Sequence, residues 1–478
     1  MSSINKFIKN SAVFGVSNFA SKLLVFLLLP FYTRVLTPSE FGSADVIISV
    51  ITLLIPIFTL CVSEGALRFS LSKTTDSKKV FSYGFTVIII GFIFLLLLYP
   101  LLSKIPLFVN HLNLFYLILI TSELNNYFNR FLRGIGKIKL IGFIGVTSTV
   151  TLIMFNILFL VVFKWGINGY LLSYFFMNLI SAVVLFFGGK LYKFIIFSKI
   201  EINLIEEMNK FNIPLIPNRI SWILISSFNK YSISYFLGYS FVGIFSAANR
   251  IPSIITAVYG IIQQALLLVV IEEYEEKNES KIFIKIYRAL STILIIIVAV
   301  INILIKPMAP LLFSNHFYDA FKYAPIMVLT AYFGAMHGNL TTIFNAKKNT
   351  RILFQNSLLG MMLIISLSIL IVPKFGLYGA TFISLAVYFL MWYRLYYITS
   401  KTISFDHDLK IDFICYIAVF LQWVISLISE GIIYYSLSIS ILFIILFVNR
   451  NELYVLYKSI KYKGYEFKRY ILSRRKIK

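Results

Sequence analysis

Apolar stretches of about twenty residues recur along almost the whole chain, and few folds can accommodate such a pattern. A helix needs roughly 20 mostly apolar residues to cross the hydrocarbon core of a bilayer. Fourteen stretches qualify. Six are 11–35, 43–68, 80–102, 112–131, 140–163 and 166–189. Six more are 212–237, 241–270, 285–305, 321–345, 352–372 and 376–397, and a last pair follows at 411–429 and 431–449. The tight joint in that pair leaves the count at 12–14. Of the 478 residues, 59% are apolar and only 13% charged, with a mean hydropathy of +0.86. No soluble domain has an interior large enough to hide that surface, so lipid is the expected solvent. The predicted fold class is therefore an all-α polytopic membrane protein. The first stretch carries no small-residue cleavage signal, so it reads as a membrane helix and not a removable leader.

Charge placement orients these spans. With the N-terminus set on the cytoplasmic side, 34 of the 44 Lys and Arg fall in inner segments, ten of them in the tail 450–478. Six lie in outer loops (Arg34, Lys104, Lys164, Lys306, Lys322, Lys374), and four lie within spans. This positive-inside asymmetry predicts a multi-pass membrane protein with both termini cytoplasmic. It also accounts for most of the net charge of +24 without invoking nucleic acid. The outer loops are too short for an external catalytic domain. The inner connection 271–288 reads as an amphipathic helix on the membrane surface, and the basic tail as an anchor beside anionic lipid.

The two halves echo each other. A shift of 210 aligns Lys137 with Lys347, Lys164 with Lys374, Gly166 with Gly376 and Gly169 with Gly379. A shift of 201 aligns LTPSEFG (36–42) with LGYSFVG (237–243). Six helices separate equivalent points, an even number, so the halves share one orientation as parallel repeats. The expected organisation is a six-helix bundle in 1–200, a second in 201–400, an extra helix pair in 401–449 and a basic cytoplasmic tail in 450–478. The two bundles would flank a central cavity.

Polar residues mark the inward faces of four helices. The first aligns Ser11, Gly15, Asn18 and Lys22 at spacings of three and four; the second carries Asp45, Ser49, Thr52, Pro56, Thr59 and Ser63 on one stripe. The seventh aligns Arg219, Trp222, Ser226 and Lys230, and the eighth Arg250, Ser253, Ala257, Gly260 and Gln264. A Lys or Arg at the bilayer centre costs about 2.5–3.5 kcal/mol even on a lenient scale, so four of them facing lipid would cost roughly 10 kcal/mol. Lys22, Lys230, Arg250 and Arg219, with Asn18, are therefore expected to line a basic cavity suited to an anionic cargo. Glu64, Asp45 and Glu123 are candidate ion-coupling carboxylates. Bland alternatives stand beside these: Arg219 snorkelling to the interface, Glu64 or Glu123 paired with Arg68 or held in a satisfied hydrogen-bond network, and His337 as a packed polar residue. Pro214 and Pro217 should break the seventh helix near its start. Cys61 and Cys415 fall inside apolar segments and suggest neither a disulfide nor a metal site. No nucleotide-binding loop, cofactor motif or catalytic triad is visible, and no enzyme activity is expected.

The segments LLPFYTRVLTPSEFGSADVI, FNKYSISYFLGYSFVGIFSAANRIPSI, KWGINGY and KFGLYGA resemble the polysaccharide transporter (Wzx-type O-antigen flippase) branch of the multidrug/oligosaccharidyl-lipid/polysaccharide exporter superfamily. The resemblance spans essentially the whole chain through short, degenerate motifs. It implies a flippase moving undecaprenyl-diphosphate-linked repeat units to the outer leaflet of the bacterial cytoplasmic membrane for O-antigen, capsule or exopolysaccharide assembly. It also implies alternating access and partnership with a polymerase and other glycan-assembly proteins. One departure is Asn229 before Lys230, where relatives often carry an acid. Four other readings stay open at this level: a lipid-linked peptidoglycan precursor flippase, a drug/cation antiporter of the same superfamily, a membrane glycan polymerase or acyltransferase, and a scaffold for a glycan-assembly complex. The antiporter would want an acidic cavity, and the polymerase a large outer loop.

Overall fold

The structure is a computed structural model that describes residues 26–72, 75–196, 201–260, 279–346, 349–402, 409–455 and 457–458. Every regular element among them is helical: α1 (Leu29–Val35), α2 (Pro38–Phe58), α3 (Val62–Leu71), α4 (Ser77–Leu96), α5 (Leu112–Gly134), α6 (Ile138–Asn156), α7 (Gly166–Gly188), α8 (Ile202–Asn212), α9 (Leu215–Phe236), α10 (Tyr239–Ala248), α11 (Glu279–Leu312), α12 (Ala320–Ala346), α13 (Thr350–Thr402), α14 (Leu409–Ile428) and α15 (Gly431–Val448). Eight helices among the described residues are long and apolar enough to span a bilayer, and α10 with the helix Ser253–Gly260 reaches the same length and apolarity only as a bent pair. One of the eight, Thr350–Lys401, is 52 residues long and holds both the 352–372 and 376–397 stretches, kinked at Gly376. The protein is thus an all-α, multi-pass membrane protein.

Local chemistry sets the helix boundaries. Thr37 caps α2 in a capping box: its Oγ1 accepts from the Glu40 amide at 3.2 Å, and the Glu40 carboxylate accepts from the Thr37 amide at 2.9 Å. Asp76 caps α4 through the Lys78 amide at 2.9 Å. The second stretch was expected as one helix over 43–68. It breaks instead after Pro56, with Leu60 and Cys61 at φ of +50° and +52°. Proline removes an intrahelical donor, and two non-glycine residues in the left-handed region mark a strained restart. The eighth stretch also breaks, at Asn249–Pro252, bending by 42°. The seventh breaks between α8 and α9, where Pro214 and Pro217 foretold it. Residues 279–288 do not form a separate surface helix as expected; they open α11, which runs on without interruption to Leu312. Residues 271–278 and Gln264 lie outside the described residues.

The repeat is visible in packing. A side chain on Gly42 would collide with the carbonyl of Tyr239, and one on Gly243 with the carbonyl of Pro38. The shift of 201 carries Pro38 to Tyr239 and Gly42 to Gly243, so the contact is reciprocal about a pseudo-twofold axis. Missing Cβ atoms let the two backbones approach closely, as small residues do in membrane helix pairs. The aligned Gly166 and Gly376 both sit at positive φ, +52° and +58°, where only glycine is unstrained.

Candidate functional site: a charged cleft between the halves

The contact between α2 and α10 closes the cleft at the end carrying residues 36–38 and 237–239. Just inside that contact, Lys230 on α9 sits 2.6 Å from the Asp45 carboxylate on α2. Ser246 on α10 donates to the same carboxylate oxygen at 2.6 Å, and Lys230 also reaches Ser49 at 3.4 Å. Both charged side chains are largely enclosed, 14% and 12% exposed. Enclosure excludes water, which raises the cost of leaving either charge alone. Arg250 follows on the same face. Its guanidinium reaches the Tyr170 hydroxyl at 3.5 Å and lies 5.8 Å from the centroid of the Phe41 ring. Tyr32 stacks edge-on against Tyr170, with centroids 5.1 Å apart, and accepts from Asn156 at 2.8 Å. The same end is tied across the halves by Thr33, whose hydroxyl donates to the Leu312 carbonyl at 3.0 Å, and by the Phe41–Phe317 ring contact.

Deeper toward the opposite end, the break in α2–α3 opens a cavity of about 190 Å³ lined by Thr52, Thr59, Ser63, Glu64, Glu123, Asn126 and Arg219, among others. Glu123 on α5 is fully buried and accepts from Ser63 at 2.5 Å and from Asn126 at 3.1 Å. Arg130, one helical turn beyond Asn126, pairs with Glu64 and donates to the Asn126 side chain at 3.0 Å. A second cavity of about 470 Å³ shares Cys61, Glu64 and Arg219 and adds Arg68, Phe211 and Asn218. There the Arg68 guanidinium lies 4.2 Å from the Phe211 ring centroid.

These positions revise several expectations. Lys230 and Arg250 both reach across to the first half, Lys230 to Asp45 and Arg250 to Tyr170 and Phe41. Glu64 lines the cavity and pairs with Arg130 instead of Arg68, because the helix break turns it inward. The cleft is therefore not simply basic: Asp45, Glu64 and Glu123 alternate with Lys230, Arg250, Arg130 and Arg219. Arg219 lines both inner cavities. His337 is buried against Asn356, 2.9 Å away, and its ring packs on Trp222. Asn18 and Lys22 lie outside the described residues. Sequence reasoning missed Ser246, Tyr170, Asn126 and Arg130, whereas Ser63 lay on its second-helix stripe. The shift of 201 could have found the first, since it carries Asp45 to Ser246 and Ser49 to Arg250.

A family described as polysaccharide biosynthesis protein matches residues 7–268. No curated protein sequence matches the chain. Among solved structures, an inward-facing multidrug resistance MATE family transporter of the MOP superfamily superposes with a TM-score of 0.64 at 13% identity, covering 82% of this chain and 98% of its own. The lipid II flippase MurJ in an inward closed conformation gives 0.64 at 16% identity, covering 94% and 99%. A Vibrio cholerae MATE transporter gives 0.60 at 13%, covering 85% and 99%. At such identities the likeness speaks for the fold alone.

Proposed function

Because this chain belongs to the polysaccharide biosynthesis protein family, we propose that it is a flippase. Its cargo is an undecaprenyl-diphosphate-linked oligosaccharide repeat unit, carried from the inner to the outer leaflet of the cytoplasmic membrane. The observation that carries this reading is a cleft between two repeat-related halves, closed at one end and lined with charge toward the other. Glycines pack the closed end, while Arg219, Glu64 and Glu123 surround open space below it. A lipid bilayer tolerates such residues only where they face water, a partner or cargo.

In this mechanism the cargo enters from the open, cytoplasmic end with its prenyl tail left in lipid. Arg219, with Lys22 and Asn18 from the first helix, receives the diphosphate. A phosphate charge about 4 Å from a cation gains roughly 4 kcal/mol at an effective dielectric of 20, before desolvation. The diphosphate then competes with Asp45 for Lys230 and Arg250. Freeing Asp45 unlocks the contact between α2 and α10, and the halves rock to open outward. Glu64, Asp45 and Glu123 are the carboxylates available to couple this cycle to an ion gradient. No covalent step is needed. The product supplies O-antigen, capsule or exopolysaccharide assembly, alongside a polymerase and other glycan-assembly proteins.

The test is genetic. A deletion strain is expected to accumulate lipid-linked repeat units on the inner leaflet and to lose surface glycan. Complementation by Arg250→Ala or Arg219→Ala is expected to fall at least tenfold. Unchanged surface glycan in the deletion sinks the function, and accumulation of the peptidoglycan precursor instead would reassign the cargo.

A further inference from the structure

A third cavity, of about 460 Å³, lies within the second half between α9, α10 with its continuation Ser253–Gly260, α12 and α13. Its chemistry differs from that of the charged cleft. Among the described residues, no Asp, Glu, Lys, Arg or His lines it. Its wall combines aromatic rings (Trp222, Tyr259, Tyr388) with uncharged hydrogen-bonding side chains such as Asn249, Ser253 and Thr330. The buried Tyr259 hydroxyl has no hydrogen-bond partner among the described residues. A buried hydroxyl left unpaired costs about 1–3 kcal/mol, which an incoming donor or acceptor would recover.

We infer that this cavity is the glycan subsite of the cargo and that it takes uncharged sugars. The inference rests on the flippase reading. A pyranose ring presents an apolar C–H face rimmed by hydroxyls, and the wall offers aromatic faces flanked by amides and hydroxyls. The volume falls in the ~300–1,000 Å³ range of small-molecule pockets, enough for a short oligosaccharide. The site also lies where a glycan would have to lie. Asn229 and Asn249 on its wall are the chain neighbours of Lys230 and Arg250. Consecutive residues on a helix project about 100° apart, so this wall occupies the faces next to the two cations, and the sugars that follow a diphosphate held there would reach it around the helix. A uronic or other acidic sugar would lose its hydration there without gaining a cation in return, so the cavity selects against it.

The test uses the full-length protein in nanodiscs and two probes. One is undecaprenyl diphosphate; the other is the lipid-linked oligosaccharide extracted from the deletion strain. Trp222→Ala removes an aromatic face, and Ala331→Phe fills the cavity without deleting a contact. Both variants are expected to bind the oligosaccharide-linked probe at least tenfold more weakly than wild type and undecaprenyl diphosphate equally well. That second binding also reports that each variant is folded. If both probes weaken together, or neither does, the subsite assignment is overturned while the flippase reading stands. If wild type binds neither probe, the flippase reading falls and takes this inference with it. Acidic sugars next to the diphosphate in the extracted oligosaccharide would overturn it as well.

Discussion

Asp45 is the residue on which the cleft turns. Among the described residues it is the one carboxylate paired with Lys230, and it takes a second hydrogen bond from Ser246, its counterpart in the other half. Losing one member of a largely enclosed ion pair strands the other charge, at a cost of about 3–5 kcal/mol. Asp45→Asn is therefore expected to lower the melting temperature of the detergent-purified protein clearly. Lys230→Met added to Asp45→Asn is expected to recover most of the loss, since neither charge then remains. The coupling energy from this double-mutant cycle is the measurement. Additive losses would mean that the two side chains do not act as a pair. Glu123 and Glu64 illustrate the same rule with different partners. Glu123 is satisfied by neutral donors, Ser63 and Asn126, whereas Glu64 is neutralised by Arg130.

At the scale of elements, the breaks carry the information. A helix that continued past Thr59 would keep Glu64 in the register of 43–68; the restart at Cys61 turns it into the cavity. Proline signals announced the α8–α9 break, whereas Pro56 and Pro252 stood in the sequence without being read that way. The α2–α10 crossing depends on Gly42 and Gly243, whose missing side chains let the backbones touch. Gly243→Val is expected to hold this crossing apart. Alkylation of Ser246→Cys, a buried position, by a membrane-impermeant maleimide should then speed up at least tenfold in intact cells. Cys61 and Cys415 are replaced in the background. An unchanged rate would mean that this crossing does not close the cleft.

The whole molecule is governed by where its charge sits relative to lipid. The 44 Lys and Arg concentrate on one side of the predicted spans, an arrangement that orients a chain during insertion. Alkaline phosphatase fused after residue 316 is expected to be active, and fused after residue 478 inactive. The reverse pattern would invert the topology and, with it, the direction in which the closed end faces. At this scale the aligned glycines matter as well. Gly166 and Gly376, 210 residues apart, both sit at positive φ, so each half needs a glycine at the equivalent position.

The sequence alone determined the solvent, the all-helical class and the repeat, because apolar length, charge bias and recurring spacing are properties of the chain read in order. It also selected Lys230, Arg250, Arg219 and the three carboxylates, because a charge within an apolar stretch is costly wherever the helix points. Which charge meets which was decided only in three dimensions. Asp45 and Lys230 are 185 residues apart in sequence, and Glu64 found Arg130 because a strained turn reoriented it. Pairing depends on helix rotation and on breaks of a few residues. Hydropathy averaged over a twenty-residue span is blind to both.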